Sequence, residues 1–493
     1  MDSLLIRSRS GTLQGIRQQG ARAWKGIPFA QPPVGERRFR RPLPPLPWEG
    51  VRDASQPGPL APQPVDPSGG SFGLVRTAIP QSEDCLYLNV WAPEQPSAEP
   101  LPVMVWIHGG SFVTGGGGLP IYDGASLARR GGLIVVSISY RLGALGFLHL
   151  GPYADASDSD GYVSNAGLLD QIAALEWVQG NIGAFGGDPS RVTVFGESAG
   201  AMSIAALLAM PAAKGLFARA ILQSGASQAL PDKQGRVLAQ AYLNMLGAES
   251  PDQLAGLTAE ELQQAADRLK RAAGESTIML FQPVVDGRTL PAPPLEAVAA
   301  GSAAGVDVVV GINRHEGALF VRPGMKLLSD EQNARAYVAV TGAPEAAGWV
   351  LDYPRTTEGQ QQAMTDLFFL RSALQLAEAQ LGYGRVWFYR YDFVSPGHPV
   401  LQAAFHAAEI PFVLGNLELL REHGWTIDER MERVSAAAMD AWLAFARSGS
   451  PATAELDWPA YDTERRAVML LDADSRVELD PEPDKRARLT GRG

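Results

Sequence analysis

The run Arg191-Val-Thr-Val-Phe-Gly-Glu-Ser-Ala-Gly-Ala-Met-Ser-Ile-Ala-Ala-Leu-Leu-Ala-Met-Pro211 constrains the fold more than any other stretch of the chain. It reads as strand, sharp turn and helix. The β-branched and aromatic residues Val192 to Phe195 suit a buried strand, and the Ala/Leu/Met-rich run from Ala199 to Met210, stopped by Pro211, suits a helix. The turn between them is Gly-x-Ser-x-Gly. A serine at such a turn sits on a strained backbone, flanked by glycines because a Cβ there would collide with strand and helix. The helix behind Ser198 starts with free N–H groups and positive potential, which suit an oxyanion.

Context matters, because the chain has 53 glycines and repeats the pattern at Gly69-Gly-Ser-Phe-Gly73. That second match follows the Pro-rich stretch Gly58 to Pro67, which cannot be a central strand, so Ser71 reads as a loop residue. The remaining chain supplies the units of a parallel sheet. Leu101 to Ile107, Leu133 to Ser139, Ala218 to Leu222, Asp307 to Asn313, Val386 to Phe393 and Ala467 to Leu471 read as strands, with Glu83 to Trp91 as a further interior strand. Leu168 to Val178 carries apolar residues at helical spacing and leads through Gly186-Gly-Asp-Pro into the elbow strand, a strand-helix-strand unit with a right-handed crossover. Near the N-terminus, Leu4 to Ser8 and Gly11 to Ile16 alternate as antiparallel hairpin strands, and Gly26 to Pro42 reads as an irregular loop.

Gln234 to Arg271 reads as helical, with a capping box at Thr258-Ala-Glu-Glu261. Residues 327–381 read as an amphipathic helical layer capping the sheet, Arg430 to Arg447 as a closing helix, and the last dozen residues as frayed. The expected fold is α/β, a large mostly parallel sheet flanked by helices with a helical cap. The whole chain, 1–493, is expected to form one elaborated catalytic domain.

Composition excludes several classes of function. The net charge of −11 is dispersed, with no Lys/Arg run, which argues against nucleic-acid partners. Apolar runs are strand-sized, far short of the roughly 20 residues that span a bilayer, so no membrane association is expected. One cysteine, Cys85, cannot form an intrachain disulfide, and the N-terminal residues lack an apolar stretch of signal-peptide length. A cytoplasmic location is expected.

A serine hydroxyl needs a general base within hydrogen-bond reach and a third group to orient that base. Of six histidines, His108 precedes a glycine loop and reads as its support, while His149, His398 and His423 lie in no motif. His315 directly precedes Glu316, so the two side chains diverge. His406 lies in a loop after a late strand, and Glu316 follows the end of Asp307 to Asn313. The order Ser198, Glu316, His406 is that of a nucleophile, acid and base on a parallel α/β sheet. The loop His108-Gly-Gly-Ser-Phe112 ends another strand on the same sheet edge, so the backbone N–H groups of Gly110, Ser111 and Ala199 are the expected oxyanion donors.

These residues together resemble a known family. Gly196-Glu-Ser-Ala-Gly200, Glu83-Asp-Cys-Leu-Tyr-Leu-Asn-Val90, His108-Gly-Gly-Ser-Phe112, and His406 before Glu409-Ile-Pro-Phe-Val413 are similar to the type-B carboxylesterase/lipase family, which includes the cholinesterases, and within it to the bacterial para-nitrobenzyl esterases. The resemblance runs from about Gly15 to the Arg430 to Arg447 helix. It implies an α/β-hydrolase fold, no cofactor or metal, and hydrolysis of a small-molecule carboxylic ester through an acyl-enzyme on Ser198. It also implies structural ion pairs between Arg38 and Glu83 and between Arg141 and Asp170, and places Ser224 near Glu316. Cys85 lacks the partner that secreted relatives have, which leaves the loop from about Gln56 to Glu83 unstapled. No residue matches the choline-binding aromatic, and Ser111 replaces a glycine, which narrows the site. The expected activity is hydrolysis of short-acyl and aryl esters by a monomer or weak homo-oligomer. The alternatives are a lipase acting on longer-chain glycerides and a non-catalytic cholinesterase-like binding protein.

Overall fold

In the computed structural model, which describes residues 4–64, 79–154, 160–274 and 279–490, eleven strands form one central sheet. In chain order they are β1 (Ile16–Gln18), β2 (Ala21–Pro28), β3 (Tyr87–Pro93), β4 (Leu101–Ile107), β5 (Ile134–Ile138), β6 (Gly187–Glu197), β7 (Arg219–Gln223), β8 (Asp307–Asn313), β9 (Val386–Tyr391), β10 (Ala467–Leu471) and β11 (Arg476–Leu479). Across the sheet the order is β11-β10-β9-β8-β7-β6-β4-β5-β3-β2-β1. The run from β10 to β5 is parallel throughout, and the pairings outside it are antiparallel.

Both faces of the sheet are covered, which is why its strands read as almost unbroken apolar runs. Val103, Val105 and Ile107 of β4 point into one core, with the helix Ala166–Asn181 and the elbow helix Ala199–Ala209. Met104 and Trp106 point into the other, with Trp442, Leu443 and Phe445 of the helix Glu429–Ser448. Register aligns the carboxyl ends of the strands: Ile107 lies opposite Gly196, Glu197 opposite Gln223, and Gln223 opposite Gly311. Loops leaving those ends therefore meet on one edge.

Both ion pairs implied by the resemblance are present. Arg38 reaches Glu83 at 2.5 Å, and Arg141 grips buried Asp170 through two guanidinium nitrogens at 2.8 and 2.7 Å. Such bidentate geometry compensates part of the desolvation of two buried charges. Cys85 is buried and unpaired. Residues 65–78, which hold Ser71 and about half of the unstapled loop, lie outside the described residues.

Three expectations are corrected. Gln234 to Arg271 is not continuous: Asp232–Leu246 ends at Gly247 in a left-handed conformation, a 3₁₀ turn spans Pro251–Gly256, and Ala259–Ala273 starts at the Thr258/Glu261 capping box. Gly247 and Pro251 together stop the first helix. The loop expected from Gly26 begins as the end of β2. Within the last dozen residues, Pro483–Thr490 is not frayed but a helix anchored by Leu489, 1% exposed, among Tyr337, Val350 and Leu367. A single buried leucine in a charged segment left no periodicity to read.

Candidate active site

Ser198 follows β6 with φ 55° and ψ −122°, a conformation that costs a non-glycine residue about 1–3 kcal/mol and persists only where its surroundings enforce it. They do so here through close approach: a Cβ on Gly200 would overlap the Ile107 carbonyl oxygen, and one on Gly196 would lie 2.5 Å from the same atom. The Ser198 N–H donates to the Gln223 carbonyl at 2.8 Å. Its hydroxyl has no hydrogen-bond partner among the described residues and faces a cavity of about 670 Å³, also lined by Gly110, Ser111, Glu197, Phe320 and His406. Two clefts of similar size, about 620 and 750 Å³, hold neither this serine nor His406.

Glu316 and His406 come together from the ends of β8 and β9. His406 Nδ1 lies 2.6 Å from Glu316 Oε2, and the Asn313 N–H donates to Glu316 Oε1 at 2.7 Å. Glu316 is wholly buried and His406 is 4% exposed. The imidazole's other nitrogen, Nε2, lies 3.1 Å from Glu197 Oε1. Burial opposes charging the imidazole, but the carboxylates of Glu197, Glu316 and Glu409 outweigh it and raise His406 to about 9. Burial pushes Glu197 up to about 8 against the pull of His406, with Glu409 and Glu316 adding to the rise.

The glycine loop folds over the serine. A Cβ on Gly109 would stand 2.6 Å from Glu197 Oε2 and 3.1 Å from Ser198 Cβ. Gly110, Ser111 and Phe112 all have positive φ, which turns successive N–H groups to one side. The N–H groups of Gly110, Ser111 and Ala199 donate to no protein acceptor among the described residues, and Ala199 opens the elbow helix. His108 stacks on Tyr140 with ring centroids 4.3 Å apart, and the Tyr140 hydroxyl donates to the His108 carbonyl at 2.7 Å. Burial pushes His108 down to about 4, so it is a neutral brace for the loop.

The profile of the carboxylesterase family matches residues 2–487. The chain belongs to the carboxylesterase family. It is 47% identical to the para-nitrobenzyl esterase of Bacillus subtilis over 99% of both chains, and 34% identical to the phenmedipham hydrolase of Pseudarthrobacter oxydans over 95% of this chain and 94% of that one. A solved thermophilic pNB esterase superposes with a TM-score of 0.93 at 45% identity, covering 99% of this chain and 100% of that one. This carboxylesterase has the α/β-hydrolase fold and is a carboxylic ester hydrolase.

Other residues of this carboxylesterase's site escaped the sequence reading. Glu409, wholly buried, accepts from Gln223 Nε2 at 3.0 Å and Asn313 Nδ2 at 2.6 Å, and Trp442 Nε1 donates to Gln223 Oε1 at 3.0 Å. These bonds join the elbow, the acid and the histidine loop. One signal was available for Glu197: the residue before an elbow serine ends a central strand at the site edge, so a charged side chain there has to face the reaction. Ser224 follows β7 with its N–H on the Gly311 carbonyl, and its buried hydroxyl has no hydrogen-bond partner among the described residues. Among the described residues, no helix is long and apolar enough to cross a membrane and no His, Cys, Asp or Glu cluster could hold a metal.

Proposed function

We propose that Ser198, Glu316 and His406 are the nucleophile, acid and base of this esterase. The observation that carries this reading is the 2.6 Å His406–Glu316 hydrogen bond beside a cavity into which Ser198 projects from a strained elbow. His406 takes the Ser198 proton as Oγ attacks the ester carbonyl and returns it to the leaving alcohol. A water molecule, deprotonated by the same imidazole, then releases the acid from the acyl-enzyme. The N–H groups of Gly110, Ser111 and Ala199 receive the oxyanion, each worth about 3 to 4 kcal/mol in the transition state. In the resting arrangement Nε2 engages Glu197, the neighbour of Ser198, so a swing of the imidazole from one residue to the next readies the base.

The substrate reading is small esters with short acyl groups and aryl or benzyl alcohols, supported by the para-nitrobenzyl esterase relative. The chain acts as one catalytic unit, with 327–381 as part of its cap, supported by the contact of Phe369 with His406 and the bond from Gly317 N–H to Thr365 Oγ1. A cytoplasmic location suits the lone, unpaired Cys85, and the dispersed charge of −11 offers no nucleic-acid surface. A monomer or weak homo-oligomer completes the reading.

The test is covalent trapping. A fluorophosphonate should add once per chain, at Ser198, with loss of p-nitrophenyl butyrate hydrolysis; mapping of the adduct to another residue would overturn the assignment. Across p-nitrophenyl acetate, butyrate and palmitate, the rate should fall steeply at palmitate, and a preference for palmitate would favour the lipase reading.

The pH profile provides a second check. The base must be neutral, and Glu197, Glu316 and Glu409 all favour its charged form. The rate constant kcat/KM should therefore keep rising with pH beyond the midpoint of a free imidazole, about 6.5. Glu197→Gln removes the carboxylate at Nε2 and should move that midpoint downward; an unmoved midpoint would show that Glu197 does not tune the base.

A further inference from the structure

The imidazole of His406 packs against two aromatic rings that also contact each other. Its centroid is 4.8 Å from that of Phe369 and 5.0 Å from that of Phe320, and the two phenyl rings are 6.0 Å apart and inclined by only 21°. Phe320 lines the catalytic cavity, whereas Phe369, 1% exposed, does not. Phe369 touches the histidine beside Phe320 without lining the cavity.

The segment carrying Phe369 is wound as a π-helix, Met364–Leu370. Such widened turns are rare and need support from their surroundings. Thr365 Oγ1 accepts from the N–H of Gly317, the residue after Glu316, at 3.1 Å. The Asp366 carboxylate, 1% exposed, accepts from the Tyr353 hydroxyl at 2.9 Å and from Gln362 Nε2 at 2.8 Å, and lies 3.5 Å from Lys485 Nζ. Lys485, which also pairs with Glu482 at 2.6 Å, belongs to the C-terminal helix Pro483–Thr490. That helix is fixed by Leu489 and by Arg488, which pairs with Asp352 at 3.2 Å and lies over the Tyr353 ring. A continuous set of contacts thus runs from the C-terminal helix to the histidine ring.

We propose that Phe369 is a positioning residue for His406, and that the C-terminal helix sets its place through Lys485 and Asp366. The proposal rests on the reading of His406 as the base. Two physical effects support it. An imidazole packed against a pair of rings that brace each other keeps the orientation that proton transfer requires, and small misplacements at a reacting centre can cost about a hundredfold in rate. Aromatic faces also attract the imidazolium that forms as Ser198 attacks. Without Lys485, Asp366 is left as a buried carboxylate with no cation in contact, and the π turn relaxes to relieve it.

The experiment measures kcat and KM for p-nitrophenyl butyrate in the full chain and in Phe369→Leu, Lys485→Met, Lys485→Arg and His406→Ala. Phe369→Leu should lower kcat by roughly tenfold or more, with KM within about twofold, since the ring does not line the cavity. Lys485→Met should lower kcat in the same direction by a smaller factor, and Lys485→Arg should restore it. A Phe369→Leu variant with wild-type kcat, or with its loss confined to KM, would overturn the positioning role. Lys485→Met with unchanged kcat, or a loss that Lys485→Arg fails to restore, would overturn the coupling to the C-terminal helix. A His406→Ala enzyme that still turned over would instead sink the assignment of the base, so the two failures are distinguishable.

Discussion

Replacing Ser198 with alanine should lower kcat for p-nitrophenyl butyrate by roughly a millionfold, the scale seen when a triad serine is removed, while leaving the fold intact. The first half follows because no other hydroxyl is described as projecting from the elbow into the cavity, so no acyl-enzyme can form. Remaining turnover would come from the oxyanion N–H groups and binding alone. The second half follows from what the side chain does not do. The Ser198 hydroxyl has no hydrogen-bond partner among the described residues, so its removal orphans nothing, and the N–H bond to the Gln223 carbonyl is kept. Alanine meets the same backbone strain at φ 55° as serine. Stability should therefore stay within about 0.5 kcal/mol of wild type, read as an unchanged melting curve. A Ser198→Ala protein that melts normally yet keeps its rate would refute the nucleophile assignment; one that melts far lower would make its kinetics uninformative and shift the weight to covalent trapping.

The sequence exposed those parts of the site that depend on local pattern. The elbow is legible because a strand of β-branched residues, two glycines at fixed offsets and an apolar helix all occur within about twenty residues. Glu316 and His406 are legible only through chain order, since each follows a strand whose apolar run can be seen. What stayed hidden depends on neighbours distant in sequence. Glu409 is one of many glutamates until Gln223 and Asn313 are seen to converge on it. Ser111 and Phe112 adopt left-handed backbone with no glycine to announce it. Residues 364–370 carry ordinary helical periodicity, and the π winding coincides with contacts to Gly317 and to Lys485 of the C-terminal helix. That helix was itself missed because a segment rich in charge, with only Leu489 buried, has the composition of a frayed end.

Glu316→Gln should be less damaging than loss of Ser198 or His406, lowering kcat by roughly ten-thousandfold with little effect on KM. Two hydrogen bonds fix how a glutamine would sit. Oε1 accepts from the Asn313 N–H at 2.7 Å, and an amide nitrogen cannot take that role, so the amide oxygen has to stay there. The amide NH₂ is then directed at His406 Nδ1, which the carboxylate oxygen had met at 2.6 Å. A donor facing Nδ1 favours the tautomer with its proton on Nε2, and an imidazole protonated on Nε2 cannot accept the Ser198 proton. It also cannot stabilise an imidazolium, because the negative charge behind Nδ1 is gone. The isosteric change leaves the packing of a wholly buried side chain in place. The effect should therefore appear in kcat and in a lost downfield proton signal for the His406–Glu316 bond, with the melting curve almost unmoved. Glu316→Asp keeps the charge but shortens the reach, and should recover only part of the rate. If Glu316→Gln retained full activity while Glu197→Gln or Glu409→Gln abolished it, the acid would have to be reassigned to one of the other two carboxylates around the imidazole.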